Sequence, residues 1–120
     1  MIQIFGHGKC KGTRAAQRFF AERGLKVHSV DVREKAMSKG ELASVARSVG
    51  GVTKLWDADG TRVKERGLQH ANPSEERMTT LLLEDASLLR TPVVRLGQKA
   101  VVGEDLAGWK VLAAEAKSAR

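Results

Sequence analysis

The chain has 120 residues, with 21 Lys+Arg against 14 Asp+Glu for a net charge of +7, one cysteine and 4% aromatic residues. That length supports one hydrophobic core and leaves no room for two, so residues 1–120 are expected to form a single domain. A lone cysteine excludes an internal disulfide framework, the sparse aromatics argue against a base-stacking platform and hence against nucleic acid as the primary partner, and no apolar run reaches the length of a membrane span.

The basic excess suits a small anion or an acidic protein face, or else a plain solvated surface, because the charges are spread along the chain rather than blocked. Met1 leads straight into an apolar run without a basic and apolar leader, and single-cysteine usage fits a reducing compartment, so the cytoplasm is the expected location.

Ile2, Ile4 and Phe5 predict a short strand, broken by Gly6 and Gly8. A helix follows from about Lys11–Thr13, with Ala16, Phe19 and Phe20 on one side and Gly24 placed to end it. Leu25 to Val32 predicts a second strand, and strand–helix–strand over so short a span suggests a parallel crossover unit. Ser38-Lys39-Gly40-Glu41 is a capping-box pattern opening a helix with Leu42, Val45, Ala46 and Val49, ended by Gly50-Gly51. Asp57-Ala58-Asp59-Gly60 reads as a turn rather than a calcium loop.

Residues 62–68 allow a helical turn closed by Gly67. Asn72-Pro73-Ser74-Glu75 predicts another helix start, with Asn72 as cap and Pro73 at the first position. Met78, Leu81 and Leu82 follow at core spacing, so the stretch from 38 to about 89 is mostly helical. Val93–Leu96 and Ala100–Val102, joined by Gly97-Gln98-Lys99, predict an antiparallel hairpin. Glu104 to about Lys117 predicts a last helix, with Leu106, Trp109 and Leu112 facing the sheet.

Cys10 stands where the first strand gives way to the first helix. The unpaired N–H groups and positive dipole end at a helix N-terminus favour an anion by about 0.3–1 kcal/mol, and the thiolate is the nucleophilic form of cysteine. Lys9, Lys11, Arg14 and His7 are close in sequence, and Arg14 at i+4 lies one turn on, within electrostatic reach. The competing reading is an inert, buried cysteine; polar flanks argue against it. His28 and His70 have no partners at metal spacing, so no metal site is expected.

The ordered set of Ile2–Phe5, Cys10-Lys11-Gly12-Thr13-Arg14 (C-x-x-x-R), Ser38-Lys39-Gly40-Glu41-Leu42, Leu88-Leu89-Arg90-Thr91-Pro92-Val93-Val94 and Gly97–Gly103 resembles the arsenate reductase (ArsC)/Spx family. The resemblance spans nearly the whole chain. It implies a thioredoxin-like α/β fold, βαβ then helical insert then ββα, with a four-stranded mixed sheet. It also implies Cys10 as nucleophile with Arg14 as its catalytic partner, and a cis Pro92 opposite the sulfur. His7, Lys9, Lys11, Gly12, Thr13, Thr91 and Pro92 would form the substrate- and thiol-binding surround.

Spx relatives carry C-x-x-C; here the second position is Thr13, so no internal disulfide can form. Family arsenate reductases are expected to hold the anion with three further arginines, and Asp57, Thr91 and Val102 fall at or near those places. The resulting expectation is a monothiol oxidoreductase with no bound cofactor, with glutathione as co-substrate or a glutaredoxin-like thiol protein as partner, and with poor arsenate reduction. The alternative is a non-enzymatic Spx-like adapter whose basic face binds an acidic protein partner such as RNA polymerase.

Overall fold

The computed structural model describes residues 1–119. The elements in order are β1 (Ile2–Gly6), α1 (Lys11–Glu22), β2 (Val27–Asp31), α2 (Lys39–Val49), a 3-10 turn (Val52–Leu55), α3 (Thr61–Glu65), α4 (Glu75–Glu84), a second 3-10 turn (Ala86–Leu88), β3 (Val93–Leu96), β4 (Lys99–Val102) and α5 (Leu106–Ser118). The sheet order is β2-β1-β3-β4, with β1 parallel to β2 and the other pairs antiparallel. This is the four-stranded mixed sheet of the expected thioredoxin-like architecture. No helix among the described residues is long and apolar enough to cross a membrane.

Strand alternation divides the interior in two. Ile2, Ile4 and Val94 point to one face, where Ala16, Phe19 and Phe20 of α1 and Trp109, Leu112 and Ala113 of α5 cover them. Phe5 and Val93 point to the other, onto Leu42 and Val45 of α2, Leu55, Val63, Leu81 and Leu88. The central strand β1 therefore belongs to both cores, and its C-terminal end is held from both faces. At roughly 1.5–3 kcal/mol for each large apolar side chain fully buried, the two clusters fix where β1 stops.

Local signals explain most boundaries. Ser38 and Glu41 form the capping box in full, and Gly50 closes α2 at φ 98°. Arg62 to Leu68 resolves into the short α3, and Gly67 takes φ 68° after it. Three expectations need correction. The cap of α4 is Ser74, whose hydroxyl accepts from the Arg77 N–H; Asn72 instead takes a left-handed turn at φ 46°. The N-cap requires extended backbone, which Ser74 has at φ −67°, ψ 164°. Leu106 is 51% exposed and does not face the sheet, because it opens α5 on the outer side, whereas Trp109 and Leu112 are buried. The paired part of β2 is shorter than residues 25–32: Leu25 and Val32 lie beyond the ladder and serve opposite cores.

Candidate active site

Cys10 is the N-cap residue of α1, with extended backbone at φ −84° and ψ 116°. Its N–H donates to the His7 carbonyl at 3.0 Å, which closes the loop, and its carbonyl accepts from the Arg14 N–H at 3.2 Å, which starts the helix. The sulfur is partly exposed. Across from it lies Thr91, next to a cis bond to Pro92. The Thr91 hydroxyl donates to Sγ at 3.2 Å, and the thiol can donate to the Thr91 carbonyl at 3.7 Å.

These contacts set the acidity of the thiol. Partial burial pushes it up, but the Thr91 hydroxyl bond and the nearby Thr13 hydroxyl and Thr13 and Gly12 N–H dipoles, which favour the anion, outweigh burial, so the net shift is downward. Thr13 Oγ1 is buried and makes no hydrogen bond of ordinary geometry. Its hydroxyl nonetheless stands close enough to favour the anion, and rotating its hydrogen toward a thiolate gives it an acceptor.

The flanking cations behave differently from the simple i, i+4 expectation. Arg14 turns back and donates from Nη1 to the Gly8 carbonyl at 2.6 Å, bracing the loop ahead of the cysteine. Lys9, Lys11 and Arg14 are exposed, and none is among the leading causes of the thiol's shift. Gly12 is buried against Pro92 and Glu104: a β-carbon there would stand 2.9 Å from Pro92 Cδ and 2.9 Å from Glu104 Cγ.

His7 lies at the loop's other end. Its Nδ1 is buried without a hydrogen-bond partner. Burial first, then the Arg33 guanidinium and Lys9, hold it below the ordinary histidine value, against the opposing pull of Asp31. Arg33 itself is forked onto Asp31, Nε–Oδ1 3.2 Å and Nη2–Oδ2 3.1 Å.

A cleft of about 590 Å³ opens between the cysteine loop and the helical insert, with His7, Lys9, Arg33, Asp57, Arg62 and Thr91 among its walls. Arg62 reaches that wall from α3 while its Nε donates to Asp85 at 2.8 Å; Arg66 shares the same carboxylate at 3.3 Å. Sequence reasoning did not pick out Arg33 for this cleft. Its signal was its place just after β2, the strand that runs parallel to β1 and ends at the same edge. Of the three positions compared with anion-holding arginines, Asp57 is on the cleft wall, Thr91 is against the sulfur and Val102 is paired with Val93 in the sheet. Among the described residues no group of three or more His, Cys, Asp or Glu is arranged to hold a metal.

A cysteine capping the first helix just after β1, faced by Thr91 with its cis bond to Pro92 just before β3, occurs here with a mostly helical insert between β2 and β3. The ArsC family model matches residues 5–112. The chain belongs to the ArsC family. A curated relative, the uncharacterized protein YusI of Bacillus subtilis (strain 168), is 26% identical over 105 residues, covering 85% of this chain and 89% of YusI. Among solved structures, a putative ArsC family related protein from Bacteroides fragilis superposes with a TM-score of 0.82 at 20% identity, covering 92% of this chain and 96% of that one. The arsenate reductase from Vibrio cholerae gives 0.76 at 20% identity, with 92% and 94% covered. At such identities the structural likeness carries the fold alone.

Proposed function

We propose that this ArsC family protein is a monothiol–disulfide oxidoreductase working in a reducing cytoplasm, with Cys10 as nucleophile and glutathione or a glutaredoxin-like thiol protein as its reductant. The observation that supports this is the Thr91 hydroxyl donating to the Cys10 sulfur at 3.2 Å, on a helix cap whose N–H groups also favour the anion. A lowered, partly exposed thiol in hydrogen-bonding surroundings is the form that reacts, whereas a structural cysteine sits in apolar ones.

In the reaction the Cys10 thiolate attacks one sulfur of a disulfide. A new S–S bond joins Cys10 to that sulfur, the old S–S bond breaks, and the second sulfur leaves as a thiolate that takes a proton from water. Cys10 is oxidised and the partner disulfide is reduced. A second thiolate, from glutathione or a thiol protein, then attacks the partner's sulfur and returns Cys10 as thiolate. No other cysteine exists in the chain, so the resolving thiol comes from outside. Thr91 and the Gly12 and Thr13 N–H groups stabilise the leaving Cys10 thiolate in that second step. Arg14 keeps the loop closed through Gly8.

The test is intact mass after incubation with glutathione disulfide. A single glutathione adduct on the native protein, none on Cys10→Ser and removal by reduced glutathione are expected. An unmodified native protein under conditions that modify a free cysteine peptide would defeat the reading and favour a non-enzymatic adapter role.

A further inference from the structure

We propose that Glu104 selects the thiol partners of Cys10, favouring disulfides that carry an ammonium group near the sulfur over those that carry only anionic groups. The proposal rests on the thiol–disulfide reading above and deepens it to a substrate class, zwitterionic peptide thiols.

Glu104 follows β4, where the Gly103 N–H donates to the Pro92 carbonyl at 2.8 Å and ties this segment to the residue that follows Thr91, whose hydroxyl meets the sulfur. Its side chain lies directly over Gly12: a β-carbon on that glycine would be 2.9 Å from Glu104 Cγ and 3.3 Å from Oε1. The carboxylate thus stands against the first turn of α1, two residues beyond Cys10. Glycine at position 12 is what lets it approach so closely.

The carboxylates of Asp31, Glu41, Asp85 and Glu115 all meet a cation. Glu104 has no hydrogen bond or ion pair among the described residues, although the chain carries a net charge of +7. Its exposed carboxylate is free to meet a ligand. It occupies the positive end of α1, where an incoming oxyanion would otherwise gain most. The cations Lys9, Arg33 and Arg62 line a different wall, the cleft beside Thr91, where Asp57 and Glu65 also stand. Arg33 is paired there with Asp31 and Arg62 with Asp85, which leaves Lys9 as the cation of that wall with no ion pair among the described residues. A partner bound across the sulfur therefore meets the Glu104 carboxylate on the Gly12 side and the Lys9 ammonium on the cleft side. A peptide thiol with an ammonium at one end and a carboxylate at the other matches that pattern in one orientation, and an inorganic oxyanion matches only half of it.

The experiment uses three methanethiosulfonate reagents that react with any accessible thiolate: cationic 2-aminoethyl, anionic 2-sulfonatoethyl and neutral methyl. In each case the thiolate attacks the sulfenyl sulfur, an S–S bond forms and methanesulfinate leaves. Dividing each charged-reagent rate by the neutral-reagent rate on the same protein cancels any change in thiolate fraction. The cationic-to-anionic ratio is expected to fall about three- to tenfold in Glu104→Gln, further in Glu104→Lys, and to depend less on Glu104 at high salt, as expected for one exposed charge against the helix turn that follows the reacting residue. An unchanged ratio in both variants overturns the proposal. An adduct with glutathione disulfide together with an unchanged ratio leaves the oxidoreductase and removes Glu104 from it. A Glu104-dependent ratio with no glutathione adduct does the reverse.

Discussion

Thr13 closes over Gly6 so tightly that a β-carbon on residue 6 would stand 2.2 Å from Thr13 Oγ1 and 2.6 Å from its methyl carbon. The end of β1 and the first turn of α1 can meet only because residue 6 has no side chain, and the same contact holds the Thr13 hydroxyl near the Cys10 sulfur.

Gly6→Ala is therefore expected to destabilise the fold by about 1–3 kcal/mol, the usual cost of forcing atoms into a packed contact. It should also move Thr13 off the thiol. Urea unfolding gives the first quantity, and the pH profile of Cys10 alkylation gives the second. Loss of stability with an unshifted profile would show that Thr13 does not tune the sulfur.

Thr91→Val removes the hydroxyl that donates to Sγ while keeping the shape. Because the folded thiol is held below its ordinary value, its anion is the species lost when the donor goes, and the alkylation profile should move to higher pH. At pH 7 iodoacetamide alkylation should slow by about three- to tenfold, a discounted share of what a hydrogen bond to a charged group gives. At high pH, where both proteins are ionised, the rates should converge. Thr91→Ser should behave like the native protein. A uniform slowing at all pH values would mean lost access rather than lost acidity.

His7 predicts a pH-dependent loss of stability. Its folded value lies below the ordinary one, so the unfolded chain binds its proton first. The contribution is complete above about pH 6.5 and is lost as pH falls through the folded value. Thermal unfolding between pH 7 and 5 should show a falling midpoint in the native protein and a flatter one in His7→Gln. The lowered carboxyls of Asp31, Glu41 and Asp85 act in the same direction, but in the more acidic range where carboxylates titrate. Equal slopes for native and variant between pH 7 and 5 would remove His7 from the account.

Arsenate turnover by the purified protein with glutathione and glutaredoxin should be negligible. Each charge-assisted hydrogen bond absent from an anion site removes about 1.5–3 kcal/mol of binding. Asp57, Thr91 and Val102 supply no guanidinium, and Arg62 on the cleft wall is already engaged by Asp85. Steady turnover above that of Cys10→Ser would overturn this expectation.

What the sequence made legible was whatever rests on short spacing. The Ser38–Glu41 capping box, the Gly97-centred hairpin and the cysteine at a strand–helix junction each need only a few adjacent residues, and each is found in place. The cis bond between Thr91 and Pro92 came through the family resemblance rather than through spacing. The misses share a different cause. Asn72 and Ser74 are both good caps, and only the tertiary course of the chain decides which one has extended backbone. The pairs Arg62–Asp85 and Arg95–Glu41 join segments far apart in sequence, and no periodicity announces a surface ion pair. Glu104 reads as one more charged residue before a helix until the fold lays it on Gly12.

The hydrogen bond between Thr91 and Cys10 joins residues 81 positions apart. An emerging or unfolded chain has its cysteine but not its threonine partner, helix cap or sheet, so its sulfur behaves as an ordinary thiol. Only when β3 has closed against β1 is the anion favoured. The chain thus carries its own delay: enhanced nucleophilicity arrives with the last third of the molecule. The rate of modification at Cys10 can accordingly serve as a clock for completed folding, read from a single native atom without an added label.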